Sequence, residues 1–330
     1  VHGIFTHNPS SLRLSMHRPN LMTIPRGNDS EIERWVKEIF VAPKGKLFWE
    51  IDFSAIEAVL VGYFAGSARY VTFAKLGVHA YLASHIVGRP VDLSWSEGDL
   101  RACFKELKKS ERSVYDTAKR CVHGSNYRMT PSKMHLEYPE TFNTVKAAAR
   151  LQGIYFDLFP EIPTWHETLC HRVDGAKKRK ADEDQIVSPW DLGICYAQNP
   201  FGYRHEFYNV LDWELKETES GERIWVSSLG EDAKRLISFL PQSTAAAIIK
   251  QAAMRLWYEF PWVGQAMRLL IHDSVLGECD EQYVERDLRI AKEVMEAPIP
   301  FLPLDPTWDM GEFLTIGTES KYGPTWARME

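Results

Sequence analysis

Two aspartates in this chain of 330 residues stand where chemistry on phosphates would need them. Asp52 closes the run Leu47-Phe48-Trp49-Glu50-Ile51 and leads into Phe53-Ser54-Ala55-Ile56-Glu57, which reads as a strand ending in an acid and passing straight into a helix. Asp273 follows Leu269-Leu270-Ile271-His272, and Ser274-Val275-Leu276-Gly277 continues as the second arm of a hairpin. Carboxylates delivered from neighbouring strands are hard oxygen ligands. They suit two divalent ions about 3.5–4 Å apart, one activating an attacking hydroxyl and the other stabilising a leaving oxygen. Each acid also has a plainer reading. Asp52 or Ser54 serves as a helix cap, with Glu57 completing a capping box, and Asp273 serves as a turn residue.

A third group lies in the helical stretch Ser113–Met129. Lys119, His123 and Tyr127 are four residues apart and share one helix face. Lys119 would meet a phosphate, while His123 and Tyr127 would line a slot for a base. Arg112 precedes Lys119 by two turns, about 10.5 Å along the axis, close to the reach of a triphosphate. An amphipathic surface helix is the alternative for this stretch. The surrounding segment, from Arg101 to Lys133, carries nine bases against three acids, so a locally positive field survives a net charge of −6 for the whole chain. A second basic cluster, Lys177-Lys178-Arg179-Lys180, is followed by Asp182, Glu183 and Asp184 and reads as an exposed loop that partly cancels its own charge.

The elements that must position these groups are legible in outline. Ile32, Trp35, Val36 and Ile39 have helical spacing before Pro43-Lys44-Gly45 breaks the pattern. Helical patterns dominate from about residue 69 to 170, with breaks at 89–94 and near Pro131 and Pro160. From 186 to 228 short aromatic and β-branched pieces read as strands, with Gly221-Glu222 as a turn. Helix returns at 231–259 and again from about Gln282 to Met295, and the tail from Pro298 is Pro-rich and then short-stranded. The two acids can meet only if the two ends fold together around the helical middle. With 45% hydrophobic and 25% charged residues the chain is globular, and no uncharged apolar stretch approaches the roughly 18 residues that span a membrane. Five scattered cysteines without a CxxC pair argue against a disulfide framework or a structural zinc site.

Taken together, these segments resemble the polymerase domain of the family A DNA polymerases, the group of bacterial DNA polymerase I and many phage replicases. Asp52-Phe53-Ser54-Ala55-Ile56-Glu57 resembles the family's first catalytic motif, Lys119 to Tyr127 with Gly124 resembles the fingers-helix motif K-x-x-x-F-G-x-x-Y, and His272-Asp273-Ser274 resembles H-D-E. Arg13-Leu14-Ser15 with Pro19-Asn20-Leu21 and Ile24-Pro25, Gly77-Val78-His79, Pro241-Gln242-Ser243-Thr244-Ala245-Ala246, and Gly323 with Trp326 extend the likeness over nearly the whole chain, in the family's order.

The resemblance implies roles residue by residue. Asp52 and Asp273 would hold two Mg²⁺ ions, with Mn²⁺ a possible substitute, and Lys119 would bind the incoming triphosphate with help from Arg112. Glu57 would exclude a 2′-hydroxyl, Tyr127 would pack near the ribose and the template base, and His123 would stack on the incoming base. Arg13, Gln242, His272 and Arg128 would contact primer or template. Three departures stand out. Tyr115 replaces the arginine four residues before the lysine, Arg128 replaces the glycine after the tyrosine, and Ser274 replaces the final glutamate. Ser274 resembles the phage-type single-subunit RNA polymerases, which leaves an RNA or mixed-substrate polymerase as the alternative. A catalytically weak nucleic-acid-binding subunit is the second alternative.

The implied fold is α+β: a right-hand polymerase palm, an antiparallel sheet with helices, carrying a mainly helical fingers insertion. Residues 1–68 and 231–330 would form the palm, and 69–230 the fingers with connecting strands. No segment resembles a thumb or an exonuclease domain. The expected partners are therefore primer–template DNA, a deoxynucleoside triphosphate, and an N-terminal fragment or separate chain that carries the thumb. A cytoplasmic location, in a host if the source is viral, is the expectation, with an organelle left open.

Overall fold

The computed structural model describes residues 4–6, 11–24, 31–182, 195–218 and 221–330. In chain order its elements begin with β1 (Ile4–Thr6), β2 (Ser15–His17), α1 (Glu31–Glu38), β3 (Lys46–Phe53) and α2 (Ile56–Phe64). Helices α3 (Ala68–Leu76), α4 (Val78–Ile86), α5 (Glu97–Ser110), α6 (Arg112–Asn126), α7 (Pro131–Glu137), α8 (Val145–Leu158) and α9 (Glu161–Asp182) follow. Then come β4 (Cys195–Gln198), β5 (Arg204–Phe207), β6 (Leu211–Glu217), β7 (Arg223–Leu229) and the long α10 (Ala233–Glu259). The chain ends through α11 (Pro261–Ala266), β8 (Met267–Ile271), β9 (Ser274–Asp280), α12 (Val284–Met295) and β10 (Thr318–Gly323). No described helix is long and apolar enough to cross a membrane. This is an α+β protein whose sheets are antiparallel.

It divides into two compact units, one of Val1–Ile56 with Gln242–Glu330 and the other of Glu57–Pro241. The first is built on a four-stranded sheet in the order β10-β3-β9-β8, so the strand from the start of the chain lies between two from its end. Strand side chains alternate between faces. Trp49, Ile51 and Phe53 are buried on one face of β3, and Phe48, Glu50 and Asp52 share the other. Phe48 joins Met16, Met22, Leu269, Leu276 and Trp326 in a buried cluster, which ties the N-terminal segment and the C-terminal tail to the sheet. On that face Lys321 pairs with the Glu50 carboxylate at 3.1 Å and the Trp326 indole N–H donates to it at 3.3 Å. Helix α12 packs against β3 and β10, with Leu288, Ala291, Val294 and Met295 buried.

The second unit is mainly helical, with two hairpins, β4–β5 and β6–β7. Its core holds a polar knot that joins four helices. The Asn126 amide, at the end of α6, donates to the Tyr70 hydroxyl at 2.9 Å, and its carbonyl oxygen accepts from the Tyr155 hydroxyl. Tyr70 and Tyr155 are completely buried, and burial pushes the Tyr70 phenol up to about 12. His166 sits against the Asn126 backbone carbonyl at 2.9 Å and is pushed down to about 4, chiefly by burial, so it is neutral and donates its Nε2 proton. Because each buried polar group has a partner, the knot locks the end of α6 in place instead of destabilising it.

Two local expectations need correction. Lys177 to Lys180 lie within α9, not in a loop, because Ala, Lys and Arg propagate a helix once it has started. Glu183 and Asp184, and the opening of the 186–228 stretch, lie outside the described residues. Ser54 does not stand at a helix cap position. It occupies a turn with Ala55, whose φ is +53°, and α2 begins only at Ile56. The Ser54 backbone N–H donates instead to the Gly317 carbonyl at 2.8 Å.

The pairing of β3 with β9 gives a direct stability test. Gly277 lies opposite Trp49, and a Cβ added there would land on the buried indole ring. Gly277→Ala should cost about 3 kcal/mol in urea unfolding, with the denaturant slope unchanged. A loss below about 0.5 kcal/mol, the range of ordinary surface changes, would mean the ring is not held as described.

Candidate functional site

In the first unit, register decides where the acids fall. Asp52 is directly opposite Ser274 on β9, and the Phe53 backbone N–H donates to the Asp273 carbonyl at 3.2 Å. Asp273 therefore sits in the turn beside the end of β3 that carries Asp52. Both are half-buried, and Oδ1 of Asp52 is enclosed by protein. On the other side of β3, Glu319 of β10 is opposite Asp52 and exposed. Ser274 is buried and donates its hydroxyl to the Ile271 carbonyl at 3.1 Å, so it closes the hairpin.

The hairpin turn has only two residues, His272 and Asp273, between the paired Ile271 and Ser274. His272 has φ +54° and Asp273 does not share that sign, the pattern of a type II′ turn, in which the first position is normally glycine. Histidine there costs on the order of 1–3 kcal/mol, held in place by the strand pairing on both sides. The exposed imidazole is thereby presented next to Asp273.

Two half-buried carboxylates, one on β3 and one in the adjoining hairpin turn, are a donor set that fits magnesium, which prefers one or two carboxylates and completes its shell with water and substrate phosphates. Among the described residues no group of three or more His, Cys, Asp or Glu forms a cage of the kind that a protein-saturated ion would need. Arg13 and Gln242 belong to this unit too, both half-buried. Lys250 of α10 donates to the Leu12 carbonyl and so holds the segment carrying Arg13 to the helix that carries Gln242.

In the second unit the candidate residues gather on α6 and its neighbours. The Tyr127 hydroxyl donates a short hydrogen bond to the Glu57 carboxylate, a contact between residues far apart in sequence. Glu57 is thus engaged with Tyr127, whereas the sequence alone offered it a role in a capping box. Tyr127 is the C-cap residue of α6 and is buried, with the His123 ring edge-on to it at 5.3 Å. Lys119 and His123 are exposed on the helix above it. Arg112 pairs with Asp116 at 2.9 Å, one turn on.

Two residues without an assigned role join this group. His79, on α4, meets the Tyr115 ring edge-on at 5.9 Å. Burial, then the charges of Lys119, His123 and Lys108, push its imidazole down to about 4. Lys108, at the end of α5, lies over the same Tyr115 ring at 5.5 Å. Sequence reasoning passed over Lys108 because nothing distinguishes it within a run of bases. The signal that could have found it is the tyrosine at 115, which leaves a gap in positive charge.

Arg128 has a different setting. Its φ is +55°, the left-handed region, at the position where the resemblance has glycine. The guanidinium turns inward. Its Nη1 is buried without a hydrogen-bond acceptor, and its charge adds to the burial that pushes the His166 imidazole of α9 down to about 4.

No family model matches the chain. It is 26% identical over 304 residues to the thermostable DNA polymerase I of Thermus aquaticus, and 24% identical over 294 residues to DNA polymerase I of Deinococcus radiodurans. These matches cover 91% and 86% of this chain but only 30% and 25% of the relatives, so the chain spans less than a third of their length. In structure it is similar to the POL domain of Pol1 from M. smegmatis, solved in complex with DNA primer-template and dNTP. That match has a TM-score of 0.63 and 19% identity, and covers 99% of this chain and 48% of the other. The resemblance to the family A polymerases therefore extends along the chain in sequence and in fold.

The turn at Arg128 makes a prediction about stability that does not depend on chemistry. Arg128→Gly and Arg128→Ala both remove the guanidinium, but only glycine relieves the left-handed backbone. The glycine variant should be the more stable by about 1 kcal/mol in urea unfolding, the reverse of the usual order. Alanine at least as stable as glycine would contradict the strained turn.

Proposed function

We propose that this chain is the palm and fingers of a family A DNA polymerase, and that it adds deoxynucleoside monophosphates to a primer 3′-hydroxyl with release of pyrophosphate. The observation that carries this reading is the pairing of β3 with β9, which brings Asp52 and Asp273, far apart in sequence, to one end of adjoining strands. In this reading residues 1–68 and 231–330 make the palm and 69–230 the fingers.

Asp52 and Asp273 would hold two magnesium ions. Bound there, the ions would supply the charge that lowers the proton affinity of the primer hydroxyl and neutralises the leaving pyrophosphate. The protein's own groups do the rest. Lys119 takes the triphosphate as a point charge, and His123 offers a flat face to the incoming base. Glu57, held by the Tyr127 hydroxyl, occupies the space that a 2′-hydroxyl would need. A carboxylate braced in that way rejects a ribonucleotide both by its bulk and because it cannot turn aside without losing its partner. Arg13, Gln242 and His272 are assigned to primer and template, and Arg128 would join them only with its inward-turned guanidinium swung out.

The alternative, an RNA or mixed-substrate polymerase, rests on Ser274. Its hydroxyl is spent on the hairpin's own carbonyl, and the bond between Glu57 and Tyr127 favours deoxynucleotides. The relatives are much longer than this chain. A further segment bearing the thumb, on this polypeptide or another, is proposed as the partner that grips the duplex. Contacts of that kind go mostly to backbone phosphates, and binding without them is weak and salt-sensitive.

Primer extension with matched deoxynucleotides tests the reading. Asp52→Asn and Asp273→Asn should each abolish nucleotide addition while the urea midpoint stays close to that of the wild type; extension by both variants at the wild-type rate would sink the assignment. Glu57→Ala should narrow the ratio of kcat/KM for matched deoxy- and ribonucleotide, mainly by improving ribonucleotide use. If the wild-type ratio is already near unity, the mixed-substrate alternative gains the ground.

A further inference from the structure

We propose that Lys108, in the last turn of α5, is a phosphate-binding residue acting with Lys119, so that a nucleotide's outer phosphates are held by cations from two helices. The inference rests on the nucleotide-binding reading given above and adds to it a residue that the resemblance does not supply.

The argument begins at position 115. Four residues before Lys119, where the resemblance has an arginine, this chain has Tyr115. That exchange removes one positive charge from α6 and puts a flat π-face in its place. The face is used. The Lys108 ammonium lies 5.5 Å from the ring centroid and the Arg112 guanidinium 6.0 Å, so the tyrosine draws in cations from α5 and from the start of α6. His79 meets the same ring edge-on at 5.9 Å, and its imidazole feels the charges of Lys119, His123 and Lys108 together. Lys108 thus lies over a ring one helical turn before Lys119, and both charges reach His79 on α4.

Ion pairing separates Lys108 and Lys119 from four nearby bases, and the Tyr115 ring separates Lys108 from the equally exposed Lys105 and Lys109. Arg101 pairs with Glu97, Arg112 with Asp116, Arg120 with Glu140 and Lys133 with Glu137, all within 3.0 Å. Among the described residues neither Lys108 nor Lys119 has a carboxylate partner. Both are exposed. Like charges gathered without a counterion repel one another, and a polyphosphate relieves that repulsion while accepting a hydrogen bond from each ammonium. The ligand class is therefore a tri- or pyrophosphate, whether carried on a nucleoside or free. Tyr115 acts as a positioning residue, since it holds Lys108 without touching the phosphate.

Isothermal titration of the full chain with inorganic tripolyphosphate tests this, using wild type, Lys108→Ala, Lys108→Arg and Lys109→Ala. Lys109 is the exposed neighbour and controls for general loss of charge. Lys108→Ala should weaken binding about tenfold, the size of one charged hydrogen bond, while Lys108→Arg and Lys109→Ala stay near the wild type. Equal affinity in wild type and Lys108→Ala, equal losses in Lys108→Ala and Lys109→Ala, or no binding by wild type, would each overturn the proposal. The same titration with a deoxynucleoside triphosphate separates the bound nucleotide from the free anion as the natural ligand. Primer extension by the wild type keeps the two readings apart. Intact extension with tripolyphosphate binding insensitive to Lys108→Ala removes Lys108 alone, whereas absent extension removes the polymerase reading and leaves the anion site standing.

Discussion

Strand β3 pairs with β9, and the first unit depends on that ladder. It fastens the opening of the chain to its last third along the whole of β3, from Lys46 opposite Asp280 to Asp52 opposite Ser274. Side chains on a strand alternate, so a slip of one residue would put Asp52 on the opposite face and leave Ile51 or Phe53 exposed. Three buried residues, Trp49, Ile51 and Phe53, resist that slip, and Trp49 against Gly277 admits only one fit. The placement of the two aspartates is thus a by-product of hydrophobic packing on the other side of the sheet.

The second unit relies on a different constraint. Helix α6 ends where Asn126 is bound to two buried tyrosines and a buried neutral histidine, and the next residue, Tyr127, reaches Glu57. A buried polar network of this kind is costly when incomplete and specific when satisfied. It fixes the rotation of α6, so Lys119 and His123 are exposed while Tyr127 is buried beside them. The charges on that helix are then sorted by ion pairing, which neutralises Arg112 with Asp116 and leaves Lys119 to solvent.

Backbone strain is found next to candidate residues in both units. His272, before Asp273, and Arg128, after Tyr127, both adopt the left-handed conformation without being glycine. Such positions persist only where surrounding structure over-determines them. The hairpin pairing of β8 with β9 does this for His272, and the locked end of α6 does it for Arg128.

The sequence by itself determined the elements and much of the chemistry. The strand that runs from Leu47 to Asp52, the hairpin around His272-Asp273, and the helical spacing of Lys119 and His123 were all readable, because they rest on local periodicity and turn chemistry. The α+β class followed from the family resemblance that these motifs carry. Tertiary structure alone decided the rest. Which strand lies beside β3 depends on contacts between the two ends of the chain, and no local pattern encodes them. Glu57 looked like a capping residue because local spacing satisfied that motif, but a long-range hydrogen bond from Tyr127 claimed it. The basic run at 177–180 looked like a loop because its charge pattern is polar, yet helix propagation carried it into α9. Lys108 could not be told from its neighbours in a row of bases until Tyr115 and His79 separated it, since charge along a sequence says nothing about which ring a cation lies over.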